Sequence, residues 1–195
     1  MEIMRGYLKE FKNLDIFVVL PHNDECNIIM VALRQLGAIV KHSWPIPRQL
    51  PAEGGALICE FSHDVAAYTP WLPGEAPLPF ILYVPGNLPV DFKEIRNCAP
   101  HGLLYSPITE RSIALTLLLA RDQFEYEQRL RSRINRLDEN LRAMRAVEQA
   151  KNILMEVKKI DEEEAYKILR QTAMERRVTL GSIAKAIVES HELLR

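Results

Sequence analysis

Ala150-Lys151-x-x-Leu154-Met155, Glu164-Ala165-Tyr166-x-x-Leu169-Arg170-x-x-Ala173-Met174 and Leu180-x-x-Ile183-Ala184-x-x-Ile187 follow one another between Ala150 and Val188. They are three apolar patterns at helical spacing, divided by short polar breaks. In the middle one Ala165, Leu169 and Ala173 recur every fourth residue and Ile168 widens the stripe, so one face is small and apolar while Lys167, Arg170 and Gln171 point away. The break Glu175-Arg176-Arg177-Val178-Thr179 offers Thr179 as the cap of the third helix. Helices this short do not hold themselves up in water, so the three must share one small core.

The spacing A-K-x-x-L-M, then E-A-Y-x-x-L-R-x-x-A-M, then L-x-x-I-A-x-x-I resembles the ANTAR domain, the three-helix RNA-binding module of transcription antitermination regulators. The competing reading of the same residues is a small helical bundle used for protein contact, since Ala, Leu and Ile at these spacings are core residues wherever helices pack.

A chain of 195 residues holds one large or two small domains. Charge is mildly uneven: residues 1–108 carry 8 Lys+Arg against 11 Asp+Glu, and residues 109–195 carry 17 against 15. That +2 on the second part falls well short of the basic excess that announces a nucleic-acid binder by charge alone. Cys26, Cys59 and Cys98 are odd in number, far apart and set in or beside apolar runs, which predicts buried free thiols rather than disulfides or a zinc site. The lead MEIMRGYLKEFKNLD has no continuous apolar core and no cleavage site, and no later run approaches membrane-spanning length without charge. A cytoplasmic protein with no membrane association is expected.

In the N-terminal half, Ile16–Leu20 is a continuous apolar run, and Ile28–Leu36 is helical until Gly37 stops it, with Asp24 and Glu25 at the helix start. Further strands are predicted at Ala38–Trp44, Gly55–Phe61, Pro79–Val84 and Gly102–Tyr105. Strands apolar on both faces and separated by helices or loops predict an α/β fold, a doubly wound, flavodoxin-like parallel sheet of five strands in the order 2-1-3-4-5. Pro45, Pro47 and Pro51 in the second connection, and Pro70, Pro73, Pro77 and Pro79 in the third, favour irregular loops.

This half is similar to the receiver domain of response regulators, and departs from it at the ends of the first, third and fifth strands. That resemblance implies an acidic pair after the first strand, an Asp at the end of the third and a Lys before Pro at the end of the fifth, which together bind magnesium and accept phosphate. Here the strands end in Leu20-Pro21-His22, Cys59-Glu60-Phe61 and Tyr105-Ser106-Pro107, so Ser106 stands where the Lys belongs. Without clustered carboxylates there is no hard oxygen cage for a divalent cation. Asp24, Glu25 and Glu60 are the carboxylates that would partly substitute for that cage, but solvent-facing loop and helix-start roles fit their positions better. The expectation is a pseudo-receiver with no metal site and no phosphoacceptor.

From Thr109 to about Val157 there is neither Pro nor Gly. Ile113, Leu117, Ala120 and Phe124 predict a stripe that covers the sheet, and Leu130, Ile134, Leu137, Leu141 and Met144 continue at spacings 4, 3, 4, 3 as a heptad seam among Arg129, Arg131, Arg133, Arg136, Asp138 and Glu139. This predicts a short coiled coil, with those five residues as the dimer interface. The division expected is a pseudo-receiver over 1–125, a coiled-coil helix over 126–145 and an ANTAR-like helical domain over 146–195.

Enzymatic signatures are weak: the histidines are scattered, and there is no phosphate-binding glycine loop, nucleophile elbow or ligand cluster. No catalytic residue and no cofactor are expected. The ANTAR resemblance implies RNA as partner, bound at hairpins of a leader transcript. Lys151, Tyr166, Arg170, Arg176 and Arg177 are the candidate contacts, with Tyr166 to stack on an unpaired base. Pseudo-receiver, dimerising helix and ANTAR module in this order resemble the ANTAR antitermination regulators; that resemblance implies an antiterminator controlled by a small-molecule-sensing regulatory protein, and the heptad seam adds a homodimer. The alternative is a DNA-binding or protein-interaction regulator of the response-regulator kind.

Overall fold

The computed structural model describes residues 11–86, 89 and 91–193. Most of the N-terminal lead falls outside them. The chain divides into two compact units, Met1–Glu127 and Gln128–Arg195.

The first unit is built on β1 (Asp15–Val19), β2 (Ile39–His42), β3 (Ala56–Glu60), β4 (Phe80–Val84) and β5 (Gly102–Tyr105). They form one parallel sheet in the order β2-β1-β3-β4-β5, with Val19 opposite Cys59 and Val84 opposite Tyr105. The doubly wound arrangement read from the apolar runs is therefore the arrangement found. Its helices are α1 (Asp24–Gln35), α2 (Phe92–Cys98) and the first turns of α3 (Glu110–Lys158). Asn23 caps α1 by accepting the Cys26 N–H at 2.8 Å, and Gly37, at φ +86°, ends it in a conformation that a Cβ would oppose.

Alternation along the strands sends side chains into two cores. Ile16, Val18, Leu20, Ile81 and Tyr83 meet Ile29 and Leu33 of α1 and Ile113, Leu117 and Ala120 of α3 on one face. Val19, Leu57, Cys59, Leu82 and Val84 meet Leu50, Val65, Ile95 and Cys98 on the other. The proline-rich second connection forms no helix, and the third only a 3-10 turn, Val65–Tyr68. Leu50, Val65 and Leu78 nonetheless cover the second face as loop residues with about 2% exposure or less. The three cysteines are free and buried; burial pushes all three thiols up, Cys59 to about 12, so they act as small apolar residues rather than nucleophiles. His101 is a loop residue just before β5 with a buried ring. Its side chain is 3% exposed and its Nδ1 accepts the Phe80 N–H at 3.0 Å.

The second unit contains the later turns of α3, α4 (Glu162–Arg176) and α5 (Leu180–Leu193). Ala150 and Leu154 of α3, Ala165, Leu169 and Ala173 of α4, and Ile183 and Ala184 of α5 form its core. Asp161 caps α4 through the Glu164 N–H, and Thr179 caps α5 by accepting the Ser182 N–H at 3.1 Å. Alanine at Ala150, Ala165, Ala173 and Ala184 lets backbones approach closely. At Gly181 a Cβ would lie 2.9 Å from that of Ala143.

Candidate nucleic-acid interface

Two places can carry function, the carboxyl ends of the strands in the first unit and the exposed side of α4 in the second. At the strand ends, Glu25 in the first turn of α1 accepts hydrogen bonds on both carboxylate oxygens, one from the Tyr83 hydroxyl and one from the Ser106 hydroxyl. Glu60 ends β3 with one carboxylate oxygen buried and without a hydrogen-bond partner. Burial, and then the charge of Glu25, push its carboxyl up from the ordinary glutamate value. Asp24 is exposed, as its helix-start position suggested, but Glu25 and Glu60 are not the solvent-facing residues expected. The reason is the pair of hydroxyls that reach Glu25 from β4 and from the turn after β5. Glu25 and Glu60 thus lie together where a receiver holds its cation, but one carboxylate is taken up by hydroxyl donors and the other keeps an oxygen buried without a partner. Among the described residues no group of His, Cys, Asp or Glu is arranged to hold a metal ion.

On α4, burying Ala165, Leu169 and Ala173 turns the opposite face outward. Tyr166 is 45% exposed, Arg170 stands one turn further on, and Met174 follows another turn on at 70% exposure. Arg176 is exposed at the end of the helix, and Arg177 is its exposed C-cap in the left-handed conformation, φ +54°. Four of the five candidate contacts, an aromatic plane and three guanidinium groups, are therefore presented to solvent within a few turns, with the Met174 thioether among them. Met174 was not singled out from the sequence, where it reads as one more apolar residue at core spacing; the signal was that it falls on the Tyr166–Arg170 stripe rather than on the alanine stripe.

Lys151 differs. The expectation of an exposed lysine is corrected, because only 7% of the residue is accessible. Its ammonium lies 2.8 Å from Glu148 Oε1 and 2.6 Å from Glu162 Oε1, and those two hydrogen-bonded carboxylates hold its pKa above the ordinary lysine value.

The seam residues Leu130, Ile134, Leu137, Leu141 and Met144 all lie on α3 with exposures of 41, 63, 56, 54 and 66%. Arg142 and Asp138 pair beside them at 2.6 Å, on the solvated flank.

Comparison with known proteins adds the assignment. The family described as AmiR, N-terminal matches residues 14–121, and the ANTAR domain family matches residues 135–188. The chain is an AmiR-like ANTAR regulator. The first of these matches spans more than half of the sequence and the second begins inside the heptad seam, so the AmiR-like assignment covers both units. A relative, the aliphatic amidase regulator of Pseudomonas aeruginosa, is 24% identical over 186 residues, covering 93% of this chain and 94% of that protein. The low-resolution structure of the response regulator StyR superposes with a TM-score of 0.52 at 13% identity, covering 90% of this chain and 98% of that one, and supports the receiver-like fold. Among the described residues no helix is long and apolar enough to cross a membrane.

Proposed function

We propose that this AmiR-like ANTAR regulator binds RNA hairpins of a leader transcript as a homodimer and permits readthrough of a terminator. The observation that carries the reading is the Tyr166–Arg170 pair, one turn apart on the outer face of α4, with Arg176 and Arg177 at its end. A ring that can stack on an unpaired base beside guanidinium groups that can take phosphate or a base edge suits a single-stranded loop. A duplex-reading helix fits poorly. The first turn of α4 is acidic, Glu162, Glu163 and Glu164 after Asp161, and Gly181 at the front of α5 is packed on Ala143.

The dimer is proposed on the exposed seam of α3. The functional division is proposed as a pseudo-receiver over 1–125, the coiled coil over 126–145 and the RNA-binding bundle over 146–195. Control is assigned to a small-molecule-sensing partner protein rather than to phosphorylation, a reading supported by the hydroxyl-bonded Glu25 and the partly buried Glu60, one of whose oxygens has no partner. Two RNA-binding bundles on one coil make the second hairpin contact intramolecular, so a paired-hairpin RNA should bind much more tightly than either hairpin alone. Titration of labelled two-hairpin RNA, single-hairpin RNA and duplex DNA at one fixed salt concentration tests this. The expected order is two-hairpin above one-hairpin above duplex. Equal or tighter binding of duplex DNA would overturn the RNA reading in favour of a DNA-binding regulator, and no binding to any of them would leave protein interaction.

A further inference from the structure

We infer that Lys151 is a positioning residue that fixes the start of α4, and not a ligand of phosphate. The inference rests on the RNA-binding reading for its functional half. Its structural half stands on the geometry alone.

The ammonium sits between Glu148, one turn back on α3, and Glu162, in the first turn of α4. It bridges the connection from Lys158 to Asp161, in which Lys159 adopts the left-handed conformation at φ +57°. A lysine ammonium has three donors, and two are spent on these carboxylates. The burial is one-sided. The Lys151 side chain is 9% exposed, while Glu148 and Glu162 are 65 and 68% exposed. An approaching phosphate therefore meets two carboxylates before it reaches the cation, and like charge repels it at that distance. Asp161, Glu163 and Glu164 add to the same negative field.

Glu162 also lies one helical turn before Tyr166 and two before Arg170. Pinning Glu162 to α3 sets the height and rotation at which α4 leaves the turn, and so where the tyrosine ring and the guanidinium stand. Lys151 then acts on RNA through α4 without touching it.

The test compares two changes that remove the same clamp but alter the free positive charge in opposite senses. Lys151→Met keeps the apolar stem and deletes the cation; Glu148→Gln with Glu162→Gln keeps the cation and deletes its partners. Binding of the full-length protein to the two-hairpin RNA is measured over a salt series, and amide exchange at Glu162–Tyr166 is measured on the free protein. If Lys151 positions α4, both variants bind several-fold more weakly, both keep the wild-type slope of log affinity against log salt, and both exchange faster at the start of α4. If Lys151 contacts phosphate, Lys151→Met lowers that slope by about one and the double variant binds as well as wild type or better, which overturns the inference. Should Tyr166→Ala and Arg170→Ala leave RNA binding untouched, the α4 surface fails on its own as the RNA contact; exchange at Glu162–Tyr166 unchanged in Lys151→Met would then overturn the clamp as well.

Discussion

Replacing Leu137 by Asp should convert the protein to a monomer. Leu137 is the central residue of the seam and is 56% exposed on the single chain. Complete burial of a leucine side chain is worth about 1.5–3 kcal/mol, so covering the exposed half contributes about 1–1.5 kcal/mol per chain and about 2–3 kcal/mol for the layer formed by two chains. The substitution removes that and places two carboxylates against each other in a desolvated layer, where an uncompensated buried charge costs about 3–5 kcal/mol. The total is at least about 5 kcal/mol, and at 1.4 kcal/mol per tenfold the dissociation constant should rise by a factor of roughly a thousand or more. Leu137→Ala, which removes only the apolar term, should weaken association about ten- to a hundredfold. Multi-angle light scattering and sedimentation equilibrium over a concentration series measure both, and circular dichroism checks that helix content is retained. A dimer with an unchanged dissociation constant in Leu137→Asp would show that the α3 seam is not the interface.

Arg170→Ala should weaken binding to a cognate two-hairpin RNA by about 1–2 kcal/mol, the range of a charge-assisted hydrogen bond, with helix content unchanged; full affinity and full readthrough in a Tyr166→Ala, Arg170→Ala double variant would discard this surface. Incubation with acetyl phosphate and magnesium should leave the intact mass unchanged, and a stable phosphoryl adduct on the N-terminal unit would contradict the assignment of control to a partner protein. Glu60 gives a pH signature: its carboxyl is raised in the folded state, so the folded chain holds that proton more tightly than the unfolded one, and the resulting stabilisation is complete below the unfolded value and lost as pH rises through the folded value. Glu60→Gln, neutral at every pH, should therefore gain stability relative to wild type as pH rises through that window in denaturant titrations; a difference that does not change with pH would refute it.

Much of the fold was legible because its determinants are local. The apolar runs of the five strands, the missing helix after Pro45, Pro47 and Pro51, and the alanine stripe of α4 each follow from residues a few places apart. The parts not legible depend on distant partners. Nothing near Ser106 announces that its hydroxyl reaches Glu25, 81 residues earlier, and the Tyr83 hydroxyl reaches the same carboxylate across 58. Lys151 looked like a surface cation because Glu162, 11 residues on, is brought to it only by the turn into α4. Met174 was hidden for another reason: an exposed methionine and a core methionine have the same spacing until the direction of the helix face is known.

The contact of Gly181 with Ala143 gives the two roles proposed for the second unit a common footing. Ala143, on which Gly181 of α5 rests, lies between Leu141 and Met144, both exposed members of the seam. Ala146 and Val147, the next residues of the same helix, already pack on the bundle core. One turn of α3 is thus shared, with α5 on one side and a free apolar edge on the other. A side chain enlarged at position 143 would lift α5 from its seat while leaving every seam residue in place, and a second helix laid along Leu141 and Met144 would stiffen the turn that supports the bundle. A larger side chain at position 143 should therefore lower RNA affinity with the seam intact, and association along the seam should raise it, although residue 143 touches neither RNA nor the second chain.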